Sequence, residues 1–287
     1  MPLRTSLMLA GALLLAGGLV STAPALAATD AAVAVKPDIA AAVAAPTRTA
    51  SNVARDKYRN PAETLSFFGV SGDQTVVEYF PSGGWYLEIL APLAAKGGGT
   101  YYGVQPGGQY RQATQKLIDS NPSLYGEVKL VELGEVPDGA ADTVLTFRNV
   151  HNMVMRGNGG EIFSHFFRML KPGGVLGVVD HRLPEDRDSA AEKTSGYLKV
   201  STVRKLAEDA GFVLEASSEV NANPRDTAAQ WRGRSGQVSG GRRERPDDAE
   251  VPQAQVSACA GYPLRSQAGE GPPSAWGWAA IWRRACS

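Results

Sequence analysis

Apolar segments of strand length alternate with helical segments from residue 60 to residue 220, and this alternation constrains the fold more than any other feature. Strand–helix units of this length favour parallel strands joined by right-handed crossovers. The strands are nearly continuous apolar runs, which is typical of a sheet covered by helices on both faces. An α/β fold is therefore predicted. Its strands are expected at Thr75–Phe80, Thr100–Val104, Val128–Leu133, Asp142–Phe147, Val175–Asp180 and Phe212–Val220.

Capping residues and prolines predict where the helices begin and end. Asn60 precedes Pro61, an arrangement that places Asn60 at an N-cap and Pro61 in the first turn. Pro92 is expected to kink or shorten the helix that contains it. The helices are predicted to start at Pro61 and to span Trp85–Ala95, Tyr110–Asp119, Glu161–Leu170 and Ser201–Ala210.

Composition narrows the class of protein. The 287 residues allow one or two domains with a core that needs no disulfide or metal. The 29 basic and 29 acidic side chains give a net charge of zero, which argues against a nucleic-acid partner. Both cysteines, Cys259 and Cys286, lie near the C-terminus, so no cysteine nucleophile or zinc ribbon precedes them.

Residues 1–27 have the features of a secretory signal peptide. Arg4 supplies positive charge, and the apolar run Leu7–Val20 is too short to span ~30 Å of hydrocarbon comfortably. Small residues around Leu26 predict cleavage after Ala27 or Ala28. We therefore expect a periplasmic or secreted protein with no stable membrane insertion after cleavage. Residues 28–51, rich in Ala, Val, Pro and Thr, are predicted to form a flexible leader.

A glycine-rich turn follows the first predicted strand. Glu78 lies near the end of that strand, and Pro81-Ser82-Gly83-Gly84 leads into a helix. Glycines let the backbone approach a ligand, and a helix N-terminus offers unpaired N–H groups. This pattern indicates a nucleotide or cofactor site or, equally, a structural turn. Dinucleotide and triphosphate binding are not expected, because neither glycine-rich fingerprint is present.

Polar residues also follow the fourth and fifth predicted strands. His151 lies in the run 147–152, and Asp180 and His181 end the fifth strand. A general-base or substrate-orienting role is one interpretation, and ordinary loop hydrogen bonding is the other. The spacing has no metal signature, so no metal site is predicted.

Four segments give the chain a resemblance to a group of exported bacterial proteins described as predicted methyltransferases of the class I, S-adenosylmethionine-dependent type. The resemblance covers residues 52–228 and implies a Rossmann-like, seven-stranded sheet, S-adenosylmethionine as cofactor, and a small-molecule acceptor of unknown identity. The similar segments are residues 54–64, 145–152, 170–182 and 221–227.

The resemblance also implies roles for individual residues. The cofactor's methionine part would lie against the loop formed by Glu78, Pro81, Ser82, Gly83 and Gly84. The ribose would approach the end of the second strand, where Gln105 replaces the usual acidic residue, and Asn149 would face the methyl group or the acceptor. The class I loop has glycines at the positions of Phe80 and Ser82. A base for the acceptor would come from His151, Asp180 or His181.

Residues 229–287 differ in composition from the rest of the chain. They contain eight Arg and no Lys, and Val, Ile and Leu total only five. This segment is predicted to be a disordered or aberrant tail, and we hypothesise a reading-frame artefact or a recent replacement. If the C-terminal strand, which in this fold lies between the fifth and sixth strands, is missing, the sixth strand exposes an unpaired edge. Residues 276–282 are an alternative that would fill this gap, but the missing strand is the favoured prediction.

Two functions remain open from the sequence. The first is methyl transfer to an unknown acceptor. The second is a non-catalytic, exported small-molecule-binding module on the same fold, since a fold does not fix a function.

Overall fold

The computed structural model describes residues 34–219, 221–222, 228 and 277–285. The predicted signal peptide, both cysteines and residues 229–276 lie outside these ranges. No helix in the described part of the chain combines the length and hydropathy needed to span a bilayer.

A single seven-stranded sheet organises the described residues, which confirms the predicted α/β fold. The strand order is β3-β2-β1-β4-β5-β7-β6, with β1 to β5 parallel to one another and β7 antiparallel to both β5 and β6. The strands are β1 Thr75–Tyr79, β2 Thr100–Val104, β3 Lys129–Val131, β4 Ala141–Phe147, β5 Leu170–His181, β6 Phe212–Ser218 and β7 Gly277–Arg284.

Helices cover both faces of the sheet. One apolar layer joins the sheet to α1, α3 and α4, with Phe67 and Leu90 fully buried, and the other joins it to α7, α8 and α9, with Phe163 and Val203 fully buried. The helices are α1 Pro37–Val43, α2 Ala50–Val53, α3 Pro61–Phe67, α4 Leu87–Gly97, α5 Gln109–Ser120, α6 Pro122–Tyr125, α7 Val150–Arg156, α8 Gly159–Met169 and α9 Val200–Asp209.

Two local predictions about helices hold only in part. Pro92 does not shorten helix α4, which continues for five residues beyond it, because Leu90 and Leu93 on either side of it are buried against the sheet. Asn60 occupies the predicted N-cap position of α3, with Pro61 in the first turn, but its side chain makes no capping hydrogen bond. Its backbone is left-handed (φ 37°), and its amide donates to Oδ1 of Asn221 at 3.3 Å instead.

The predicted flexible leader is ordered from residue 34 onward, in a segment (residues 34–60) that we call the N-terminal strap. Ile39 on α1 is fully buried in the core. The Lys36 ammonium donates to the carbonyls of Gly69 and Val70 at 3.0 and 2.8 Å. The Arg48 guanidinium pairs with both carboxylate oxygens of Asp56. Ile39 and Lys36 therefore anchor to the domain a segment whose composition resembles a linker, and the Arg48–Asp56 pair joins two parts of the strap itself.

The predicted loss of the C-terminal strand is also wrong. Residues 277–284, within the predicted tail, form β7, which pairs with β5 on one side and β6 on the other. Ala280, Ile281 and Trp282 are fully buried there. A strand enclosed on both faces needs only a short apolar run, so a segment poor in aliphatic residues supplies it.

Candidate active site

An open cavity of about 480 Å³ lies at the carboxyl ends of β1 and β4. The strand order reverses between these two strands, and ligands of open α/β sheets bind at such a point. The volume falls within the range of small-molecule sites. The cavity is lined by Asn52, Arg55, Arg59, residues 78–83, Trp85, Tyr86, Tyr110, residues 147–149, residues 151–153, Arg156 and His181.

The loop after β1 adopts a left-handed backbone at three alternate positions. The φ angles of Phe80, Ser82 and Gly84 are 64°, 52° and 78°. Two of these residues carry side chains, and each such conformation costs about 1 kcal/mol or more. The surroundings hold the loop: the Phe80 N–H donates to the Val104 carbonyl at 2.8 Å, and the Gly84 N–H donates to the Pro81 carbonyl at 2.9 Å. The loop thus keeps the backbone shape that glycines favour, without glycines at Phe80 and Ser82.

Gln105 holds this loop through a hydrogen bond and does not line the cavity. Its side chain is fully buried, and its Oε1 accepts the Ser82 N–H at 2.9 Å. Thr114 Oγ1 donates to the Ser82 carbonyl at 2.6 Å, so both polar groups of the Ser82 backbone are bonded. The structure therefore gives Gln105 a loop-supporting contact, where the sequence predicts contact with a ribose.

Glu78 forms part of the cavity floor. Its side chain is only 4% exposed, and its Oε2 accepts the Tyr101 hydroxyl at 2.6 Å. Burial raises the pKa of Glu78 to about 7, against the lowering effect of the Tyr101 hydrogen bond. The carboxyl group is therefore poised to change charge near neutral pH.

His151 and Asp180 form a buried pair at the cavity wall. Nδ1 of His151 lies 2.7 Å from Asp180 Oδ1, and the His151 backbone N–H donates to Oδ2 at 2.9 Å. Burial raises the pKa of Asp180, but the positive charge that His151 carries when it is protonated and the hydrogen bonds from His151 more than offset this, so that pKa lies below its usual value. An ionised carboxylate only accepts hydrogen bonds, so Nδ1 of His151 carries the proton.

A second histidine contacts an arginine. The Arg148 guanidinium donates from Nε at 2.9 Å to Nε2 of His181, and its Nη2 lies 2.7 Å from the same atom. Arginine has no acceptor, so Nε2 of His181 holds a lone pair and the imidazole is neutral. The rings of His151 and His181 lie 6.0 Å apart.

The structure brings most of the predicted site residues to one cavity. Asp180, Gly84 and Gln105 lie behind its surface and support residues that line it. The described residues contain no cluster of three His, Cys, Asp or Glu side chains suited to a metal ion. The predicted residues that line the cavity are Glu78, Pro81, Ser82, Gly83, Asn149, His151 and His181.

Sequence reasoning did not single out the arginines of the cavity. Arg55 and Arg59 come from the N-terminal strap, and Arg148 and Arg156 flank or end α7. All but Arg156 fall within the segments that carry the family resemblance, which was the available signal. The helix α7 was itself missed, because its first turn contains the polar residues His151 and Asn152.

Comparison with solved structures identifies the architecture. An arsenic(III) S-adenosylmethionine methyltransferase from Chlamydomonas reinhardtii superimposes with a TM-score of 0.51 over 88% of this chain and 74% of its own, at 15% identity. The fold is that of the class I methyltransferases. A methyltransferase from Aquifex aeolicus gives a TM-score of 0.49 over 58% of this chain and 86% of its own, at 19% identity.

Comparison of sequences gives a partial match. A sterol 24-C-methyltransferase from Yarrowia lipolytica is 30% identical over 144 residues, which are 45% of this chain and 35% of that protein. The chain thus spans about a third of the length of the curated relative it matches. No family model matches the chain.

Proposed function

We propose that this protein is an S-adenosylmethionine-dependent methyltransferase that acts on a small-molecule acceptor. The observation that carries the proposal is the His151–Asp180 pair in the wall of a cavity at the strand-order reversal of a class I methyltransferase sheet. The sequence match to a sterol methyltransferase supports the same reaction class. A non-catalytic binding module is not favoured, because the sequence match is to a methyltransferase and the hydrogen-bonded His–Asp pair is suited to proton transfer.

The residues present fit the cofactor. The loop 78–83 supplies a left-handed backbone, and Glu78 supplies a carboxyl group for a ligand that carries an ammonium. Tyr86 and Phe147 stack on each other with ring centroids 3.6 Å apart and add an apolar wall. When bound, S-adenosylmethionine supplies an electrophilic methyl group on a sulfonium.

The chain's own residues provide orientation and a base. Nδ1 of His151 is held by Asp180, which leaves the lone pair on Nε2 to accept a proton from the acceptor. Asp180 remains ionised at neutral pH, because its pKa is lowered, and thereby fixes the imidazole tautomer. Asn149 donates to the Phe147 carbonyl at 3.0 Å and links the end of β4 to the start of α7, where His151 lies.

Calorimetric titration with S-adenosylhomocysteine tests the proposal. We expect saturable one-to-one binding by the folded chain. Gly84→Ala is expected to weaken binding about tenfold or more, because a side chain strains the left-handed backbone that shapes the loop. The φ of Gly84 is 78°, and an added Cβ would lie 2.1 Å from Leu117 Cδ2.

Gly160→Ala is the matched control. Gly160 lies on α8, and an added Cβ there meets no atom within 4 Å. It should bind S-adenosylhomocysteine like the unmodified chain, with circular dichroism checking all three proteins. A folded, unmodified chain that gives no binding heat and no thermal stabilisation by the ligand contradicts the proposal.

We also propose that the protein is exported by the N-terminal signal and works in the periplasm or outside the cell. The support is the sequence of residues 1–27, with a basic residue, a short apolar run and small residues before the predicted cleavage point.

A further inference from the structure

The lining of the cavity is rich in aromatic rings. Among the described residues that line it, six of twenty are Phe, Trp or Tyr, although these types make up 8% of the whole chain. Aromatic rings are large apolar surfaces that pack against other flat groups in defined geometries. The lining therefore indicates contact with a flat, apolar part of a ligand. The six residues are Tyr79, Phe80, Trp85, Tyr86, Tyr110 and Phe147.

Three of these rings form one block. Tyr86 and Phe147 lie within 16° of parallel with their centroids 3.6 Å apart, and Trp85 meets Tyr86 edge-on at 4.4 Å. Trp85 and Tyr86 are both buried, and the Trp85 indole N–H donates to the Asn52 carbonyl at 2.8 Å. Phe147 is only half-buried, so it is the member of the block with the most surface open to a ligand.

Phe147 lies on the side of the cavity where the methyl acceptor is expected. The cofactor loop follows β1, and Tyr110 lies on α5, which follows β2. Phe147 ends β4, which is on the other side of β1 from β2. Three residues separate it from His151, and the Asn149 amide donates to the Phe147 carbonyl. The aromatic block and the proposed base therefore belong to the same end of the cavity.

A smaller cavity extends this apolar surface. Its volume is about 20 Å³, and it shares Tyr86 and Phe147 with the larger cavity. Tyr58 from the N-terminal strap and Val179 from β5 add further apolar surface. Such a volume accommodates about one small group, such as a methyl substituent. Arg59, Arg148 and Asn221 complete the lining.

The chemistry of the proposed base favours a hydroxyl group on an aromatic ring. A histidine accepts a proton most readily when the pKa of the donor is not far above its own. The pKa of an aromatic hydroxyl is about 10, as in tyrosine, whereas that of water, which aliphatic alcohols resemble, is about 16. A ring that packs against the aromatic block therefore also makes its hydroxyl group a suitable proton donor to His151.

We propose that the methyl acceptor is a single-ring phenol whose ring packs against Phe147 and Tyr86 while its hydroxyl group lies beside His151. The inference rests on the proposed function. The cavity of about 480 Å³ has the size of a site for one drug-sized ligand, so an acceptor that shares it with the cofactor is small.

The reaction balances with these groups. A lone pair of the phenol oxygen forms the new bond to the methyl carbon as the carbon–sulfur bond breaks, and that bond's electrons stay on sulfur. The phenol proton passes to the imidazole of His151, which Asp180 holds through Nδ1. The products are an aryl methyl ether and S-adenosylhomocysteine, and the positive charge of the sulfonium is replaced by that of the imidazolium.

Titration of the full chain tests this inference in two steps. S-Adenosylhomocysteine binding is measured first. The saturated complex is then titrated with 4-methylphenol and with 4-methylcyclohexanol, and ligand-observed nuclear magnetic resonance measures both affinities. The two probes have the same carbon skeleton and one hydroxyl group each, but only the first has a flat aromatic ring. We expect 4-methylphenol to bind about fivefold to tenfold more tightly.

Ring variants localise the effect. Phe147→Leu keeps an apolar side chain but removes the ring, so it should lose most of the preference for 4-methylphenol, and Tyr86→Leu should act in the same direction. Phe147→Tyr retains a ring and should keep the preference. Phe167→Leu is the matched control, because it removes a half-buried ring that packs against Phe212 and does not line the cavity. It should bind both probes like the unmodified chain.

The outcomes separate the two proposals. A complex with S-adenosylhomocysteine that binds the two probes equally, or binds neither, overturns the phenol acceptor and leaves methyl transfer standing. A preference that persists in both Phe147→Leu and Tyr86→Leu overturns it too. Circular dichroism checks each variant, and if one of the two does not fold, the other decides. A folded, unmodified chain that does not bind S-adenosylhomocysteine overturns both proposals.

Discussion

Glu78 connects the site to the stability of the whole domain. The pKa of its carboxyl group is 4.5 without perturbation and about 7 in the folded protein, where burial is the largest cause of the rise. A group whose pKa is raised by folding stabilises the folded state fully below its unfolded pKa and loses that contribution as the pH rises through the folded pKa. The effect of Glu78 is therefore confined to the range between about pH 4.5 and pH 7.

We predict that the free energy of unfolding falls by about 3 kcal/mol between pH 5 and pH 8 because of Glu78. Glu78→Gln should flatten this dependence, since the amide oxygen still accepts the Tyr101 hydroxyl and cannot ionise. Urea unfolding at several pH values measures it. Glu127→Gln, at an exposed position, is the control and should keep the slope of the unmodified protein. An equally steep slope in Glu78→Gln would refute the assignment.

The sequence predicted the residues that line the cavity better than it predicted the residues that hold the cavity's loop in place. Four lining residues were predictable, because polar residues that follow buried strands meet at one edge of a parallel sheet. They are Glu78, Asn149, His151 and His181. Gln105 was assigned to a ligand because its place after β2 is visible in the sequence, whereas its bond to the Ser82 N–H depends on the folded loop. The left-handed conformations of Phe80 and Ser82 could not be predicted from the sequence either, because neither residue type favours a positive φ.

At the scale of elements, β7 determines whether the sheet is continuous, because it lies between β5 and β6. Trp282 on this strand is fully buried and pairs in register with Leu176 on β5 and Leu214 on β6. Removing a buried tryptophan loses both its transfer free energy and the packing of the space it filled. The Trp282 side chain thus contributes to the core at the point where β7 pairs with β5 and β6.

We predict that Trp282→Ala lowers the free energy of unfolding by about 3–5 kcal/mol. Val213→Ala, on the adjacent strand β6 at a position 41% exposed, should change it by less than about 1 kcal/mol. Chemical denaturation compares the two variants. It is followed by far-ultraviolet circular dichroism, because this backbone signal does not depend on the tryptophan that one variant lacks. Equal stability of Trp282→Ala and the unmodified chain would mean that β7 does not occupy this position.

Strands and helices were predictable from the sequence where their own residues form an apolar run or a periodic apolar face. β1, β2 and β4 follow from long apolar runs, and α8 from its periodic apolar face. The sequence did not favour order in the strap or in β7, and the reason is shared, since each is ordered by a few long-range contacts. Ile39 and Trp282 supply those contacts within segments whose composition is that of a linker.

The whole molecule combines this domain with a predicted export signal. If the signal works as we propose, the mature chain begins at Ala28 or Thr29, since cleavage is predicted after Ala27 or Ala28. Intact-mass analysis of protein recovered from a periplasmic extract measures this. Leu13→Arg, which places a charge in the apolar run, should leave the precursor uncleaved in the cell, and Val53→Ala, at an exposed strap residue, should not. Recovery of uncleaved, unmodified chain from the cytoplasm alone would contradict export.

The position of β7 in the sheet also sets an order of events during folding. The chain between the end of β6 and the start of β7 is 58 residues long, yet β7 lies between β5 and β6. Pairing across such a separation is entropically costly and slows folding. Until β7 arrives, β5 and β6 have no common neighbour and each exposes an unpaired edge. The nascent domain is therefore most vulnerable to aggregation late in its synthesis, and a molecular chaperone would be of most use during that interval.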